Sequence, residues 1–260
     1  MIWIGFQSTG VIYAFNIAFL MTLLLNFWFL GKLLDPNTSD ISHTESHLIS
    51  KVWNIPVFIC MILLSILLNM DILLAKQFMN LNQAAMFSVI SILSKAAYFG
   101  STAVALALFP RAIQSMKEGE KPIQIVVISV LLAMLITTIF VIIYAVFANY
   151  SISIFTTGKY PEIGNYIHIY TIGMGALGLT FTLSHLLIAL GTKHFYWLYL
   201  ISTITCITLI ALSEHTISIL VNYISIVCII TAVLVLSLTI ISLKRLKLND
   251  NNIRELQNPI

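Results

Sequence analysis

Residues 69–111 read NMDILLAKQFMNLNQAAMFSVISILSKAAYFGSTAVALALFPR, and two charges in this stretch decide how the rest of the chain is read. Asp71 comes near the end of one long apolar run, and Lys95 sits in the middle of the next. On insertion scales a charge at the centre of a membrane helix costs about 2.5–3.5 kcal/mol, so such a residue faces a bundle interior or a water-filled cavity. Ala84, Ser88, Ser91, Lys95, Tyr98, Thr102 and Ala105 recur at alternating spacings of four and three, which places them on one stripe of a helix. The opposite positions are Phe, Val, Ile and Leu, so this helix is predicted to show lipid on one side and polar groups on the other.

The composition around that stretch agrees. The chain has 260 residues, 59% hydrophobic and only 9% charged, with a mean hydropathy of +0.99, which excludes a soluble globular domain and predicts an all-α, polytopic transmembrane helix bundle. A bilayer core of roughly 30 Å needs about twenty apolar residues at 1.5 Å rise. Seven such spans can be drawn: residues 4–30, residues 52–75, the striped helix stopping at Pro110, and residues 122–147, 165–190, 195–211 and 217–243. The predicted organisation is an isolated first helix (1–31), a cytoplasmic connecting loop (32–50), a six-helix bundle (51–243) and a polar, mobile tail (244–260). The start of the chain has no basic segment and no small-residue cleavage site, so it is read as a span and not as a signal peptide.

The net charge of +3 is not a nucleic-acid signal, because the basic residues lie in short loops where they set topology. With the tail cytoplasmic, only Lys76 and Lys159 of the 13 Lys and Arg residues fall on the other side, Lys95 being inside a span. That count predicts a cell-membrane protein with its C-terminus cytoplasmic and its N-terminus outside. Cys60, Cys206 and Cys228 fall inside predicted spans and read as small core residues. His43 and His47 flank Glu45 at helical spacing, but without a third ligand they read as a solvated helix start; no metal or cofactor is called. The fifth span carries Gly164, His168, Thr171, Gly175, Gly178, Thr182, His185 and Ala189 on one face, a spacing that serves helix packing or the lining of a pathway. The two stripes are expected to line or flank one polar groove, with His185 either a satisfied buried histidine or a proton relay. Residues 111–121 read as a compact charged loop, and residues 149–164 as a long loop.

Residues 69–111 resemble a segment of the polysaccharide (lipid-linked oligosaccharide) flippases of the multidrug/oligosaccharidyl-lipid/polysaccharide exporter superfamily. There an Asp ends one helix, a short turn follows, and a helix with a central Lys runs to Phe-Pro; here these are Asp71, Lys95 and Phe109-Pro110. A second stretch, SIFTTGKYPEIGNYIHIYTIGMGALGLTFTLSHLLIALGTKH, is similar to the family's Gly-x-Tyr loop, the helix behind it and the Ala-x-Gly-x-Lys turn, through Gly158, Tyr160, Ala189, Gly191 and Lys193. Residues 83–87 lack the Gly and Tyr that the family carries after its short turn. The resemblance covers about residues 45–245. It implies one bundle plus one helix of a two-bundle exporter, with a missing N-terminal bundle or a homodimer mate as partner and a lipid-linked oligosaccharide as substrate. One cavity wall would then be supplied by Lys95 with Ser91, Tyr98 and Thr102, and Arg111 at the cytoplasmic mouth would meet the pyrophosphate. Asp71 lies near the outer end of its span and Lys95 near mid-membrane, so direct pairing is not expected, and the Lys95 ammonium is expected in a hydrated groove. The alternatives are a non-functional or structural remnant of such a transporter, and a membrane enzyme acting on polyprenyl lipids. The enzyme reading lacks the clustered carboxylates it needs, because Asp71 has no acidic neighbour in sequence and Glu214-His215 occupies a very short turn.

Overall fold

The computed structural model describes residues 46–117, 122–156, 160–189, 192 and 195–257, together with Ile17, Leu20, Met21 and Leu24. The chain divides into two units, Met1–Lys51 and Val52–Ile260. In the first, Ile17, Leu20, Met21 and Leu24 are helical and exposed. The remainder of the expected first span, and the His43 and Glu45 positions, lie outside the described residues. So do Gly158, Lys159, Gly191 and Lys193.

Seven helices appear among the described residues: α1 (Ser46–Phe78), α2 (Leu81–Lys117), α3 (Pro122–Val146), α4 (Ala148–Thr156), α5 (Gly164–Ala189), α6 (Tyr196–Leu212) and α7 (Ile217–Gln257). A 3-10 turn, Pro161–Ile163, leads into α5. Five helices are long and apolar enough to cross a membrane, within Val57–Phe78, Leu81–Leu108, Gln124–Val146, Pro161–Ile188 and Ile217–Arg245. α6 is apolar but has 17 residues, the lower limit for a span. The protein is therefore a multi-pass, all-α membrane bundle.

Turn chemistry sets several of the boundaries. The Asn80 side chain accepts a hydrogen bond from the Gln83 N–H at 2.9 Å, capping the first turn of α2. Pro122 opens α3, where its missing N–H costs nothing. Four boundaries differ from the sequence expectation. α2 does not stop at Pro110 but continues to Lys117: one proline removes a single backbone bond, and the good helix formers of RAIQSMK carry the helix on. α1 begins at Ser46, inside the expected loop. Residues 149–156 are helical, as α4. α7 extends to Gln257, so the expected tail is largely helical; Leu, Lys, Arg, Glu and Gln there are strong helix formers.

α5 is the centre of the bundle and packs on α2, α7 and α3. Its span is 72% buried, against 17% for α3, so α5 is enclosed by protein and α3 faces lipid. Small residues make the enclosure possible, since close backbone approach supplies the dispersion that hydrophobicity cannot supply inside a bilayer. Gly173 faces Ser225 of α7, Gly175 faces Thr137 of α3, and Gly178 faces Tyr98 and Ser101 of α2. A Cβ on Gly178 would lie 2.7 Å from the Ser101 Cβ. The stripe on α5 is thus a packing surface, and α2 and α5 close on each other where a groove between them was expected. Ile92, Phe99 and Leu106 on the opposite side of α2 are exposed, as the pattern of that helix predicts.

Candidate functional site

α1 presents Cys60, Leu64, Leu67, Asp71 and Ala75 at helical spacing, all of them buried, while its backbone makes little close approach to any other element. Side chains therefore hold it to the bundle, and Asp71, with 0% exposure, is the polar one among them. The Lys95 Nζ donates to Asp71 Oδ1 at 3.0 Å. Ser91 Oγ donates to Oδ2 at 2.5 Å, and the Tyr170 hydroxyl donates to the same oxygen at 2.9 Å. One carboxylate thus ties together α1, α2 and α5.

The ion pair corrects the expectation that depth keeps the two charges apart. Asp71 lies about 10 Å from the end of α1 and Lys95 about 20 Å from the start of α2, at 1.5 Å per residue. Every Cα–Cβ bond tilts toward its helix N-terminus. In an antiparallel pair joined by a tight turn, that tilt carries Asp71 away from the turn and Lys95 toward it, and the lysine stem spans the rest. Ser91, one helical turn nearer the start of α2, shares the face and completes the approach. Lys95 is 7% exposed and its ammonium is paired, so it is not the hydrated group of an open groove.

The other expected site residues do not join this cluster. Tyr98 is buried and meets Phe181 edge-on at a centroid distance of 6.2 Å. Thr102 donates back to the Phe99 carbonyl at 2.9 Å. Arg111 is exposed toward the far end of α2. His185 is half-buried, with Nδ1 3.0 Å from the Phe181 carbonyl and its ring 4.4 Å from that of Phe181. Tyr170, which no sequence motif marks, is the missed member; it is fully buried and stacks edge-on against Phe87 at 5.4 Å.

Further hydroxyls join the helices. Thr171 donates to Ser94 at 3.1 Å and Thr182 to the Ser101 carbonyl at 3.3 Å, both between α5 and α2. The Tyr144 hydroxyl bonds the Leu93 carbonyl at 2.9 Å, Ser184 pairs with Tyr199, and Thr231 donates to Ser202 at 2.7 Å. Among the described residues no buried side-chain nitrogen or oxygen lacks a partner, and no three His, Cys, Asp or Glu side chains come together to hold a metal. Cys60, Cys206 and Cys228 are free and buried.

Chemically, the cluster is a saturated carboxylate that neutralises an ammonium and adds a polar tie to a helix otherwise held by buried apolar side chains. Searches against family models, curated proteins and solved structures found no match to the chain.

Proposed function

We propose that this chain is a bundle of a flippase-type membrane transporter that moves lipid-linked oligosaccharide for surface polysaccharide synthesis, with Asp71–Lys95 as its working charge pair. The supporting observation is the fully buried ion pair that fastens α1 to α2 and α5. Ionisable residues inside a membrane mark substrate and ion pathways by default, and a charge pair that joins one helix to two others is a contact whose opening would let that helix shift. While Asp71 is charged, it cancels Lys95. The pyrophosphate of the carrier lipid would compete with Asp71 for the ammonium, so anion binding and opening of the pair favour each other. A second bundle, or a second copy of this chain, would supply the facing wall of the cavity. The reading assigns no catalytic step.

A purely structural tie is the second reading, favoured by the complete burial and full hydrogen bonding of Asp71. The variants Lys95→Met and Asp71→Asn, singly and together, separate the two in cells that depend on this transporter. Either single change strands a partner in the bilayer and costs about 3–5 kcal/mol, seen as reduced membrane abundance. The double change restores abundance under both readings. If the pair works in transport, the abundant double variant exports no polysaccharide; normal export by that variant overturns the proposal.

A further inference from the structure

The joint between α3 and α4 carries two adjoining cavities of opposite character. The helical path bends at Phe147, yet Phe147 N–H still bonds the Ile143 carbonyl and Ser151 N–H the Phe147 carbonyl. The bend leaves a concave elbow against α2. On one side lies an open, almost wholly apolar cavity of about 460 Å³, walled by Leu93, Ile143, Ile154 and Phe155. On the other lies a cavity of about 470 Å³ with a mainly polar wall, containing Asn149, Asn165 and His168 at the start of α5. Phe147 and Tyr150 line both.

We propose that this elbow binds one phospholipid of the surrounding bilayer, with an acyl chain in the apolar cavity and the phosphate headgroup at Asn149, Asn165 and His168. Three features support it. Each cavity has the volume of a small-molecule site, and the two together match an amphiphile with an apolar stem and a polar head. Asn149, Asn165 and His168 together line the polar cavity, where they offer two carboxamide donors and an imidazole to phosphate oxygens. The exposed Phe147, Tyr150 and Phe155 lie where the span of α3 ends, the depth at which aromatic rings anchor at headgroups. The site is separate from Asp71 and does not depend on the transport reading.

The test uses the full chain in vesicles of phosphatidylcholine and phosphatidylglycerol containing a phosphatidylglycerol with a photoactivatable acyl chain, with labelled residues mapped after irradiation. Labelling is expected to concentrate at Phe147, Ile154 and Phe155 over the lipid-facing Leu131, Leu135 and Ile139 of α3. The variant Asn149→Ala with His168→Ala should lower labelling at the elbow about tenfold and leave α3 unchanged. A second variant, Ile154→Ser, attacks the chain side and should lower it independently. Equal labelling of elbow and α3, unaffected by both variants, overturns the proposal by showing ordinary surrounding lipid. Displacement of the probe by a polyprenyl phosphate but not by excess phosphatidylglycerol also overturns it, because the occupant would then be a carrier lipid.

Discussion

At the scale of single residues, Tyr170 separates what a sequence pattern reveals from what it hides. Asp71, Ser91 and Lys95 were legible because a carboxylate and an ammonium in apolar sequence are conspicuous, and because residues four apart share a helix face. Their pairing was not legible from depth alone, since side-chain direction shortens the gap. Tyr170 is 99 positions from Asp71 and unremarkable in its own helix; only the packing of α5 on α2 brings it in. Its hydroxyl serves a charged acceptor, whereas that of Tyr144 serves the Leu93 carbonyl, which also lies within a helix ladder. Tyr170→Phe is therefore expected to cost about 1.5–3 kcal/mol and Tyr144→Phe about 0.5–1.5 kcal/mol. Thermal unfolding of the two variants in detergent, side by side, checks the order; an equal or reversed order would mean that Tyr170 does not carry the carboxylate.

At the scale of helices, hydropathy located the spans, but composition did not reveal how closely they pack. The glycine face of α5 was compatible with a pathway or a packing surface, and the neighbours decide: Thr137 approaches Gly175, and Ser101 approaches Gly178. Two of the boundaries that sequence missed share a cause. Pro110 and the charges after Pro110 and Leu243 read as helix stops, whereas good helix formers extend α2 to Lys117 and α7 to Gln257. Gly178→Ala would place a methyl 2.7 Å from the Ser101 Cβ and 3.0 Å from the Tyr98 carbonyl, forcing α2 and α5 apart at a cost of about 1–3 kcal/mol. Adding Ser101→Gly removes the nearer obstacle and should recover part of that loss. Membrane abundance and melting temperature of the single and double variants test the contact. No rescue would place the strain at Tyr98, and no loss from Gly178→Ala would show that the helices tolerate greater separation.

At the scale of the whole molecule, helix polarity and loop charge make one joint prediction. Phe78, at the end of α1, stacks on His215 before α7 at a centroid distance of 4.8 Å, and Gly164 at the start of α5 lies beside Asn149. α2 and α5 run in the same direction, since Ser94 meets Ile167 and Ser101 meets Thr182. One end of the bundle therefore gathers the α1–α2 turn, α4 and the α6–α7 turn, while the other holds Lys117, Lys244 and Arg245. Basic residues cluster at the second end, and Lys and Arg are retained on the cytoplasmic side. A cysteine introduced at Glu162 should then react with a membrane-impermeant maleimide added to intact cells, and one at Lys117 only after the membrane is opened. The three native thiols are buried, so the added group dominates the signal. The reverse pattern would invert the bundle and place the α3–α4 elbow in the cytoplasmic leaflet. Labelling of both sites in intact cells would instead mean that the reagent has entered, which a soluble cytoplasmic thiol protein in the same cells, labelled only on entry, detects.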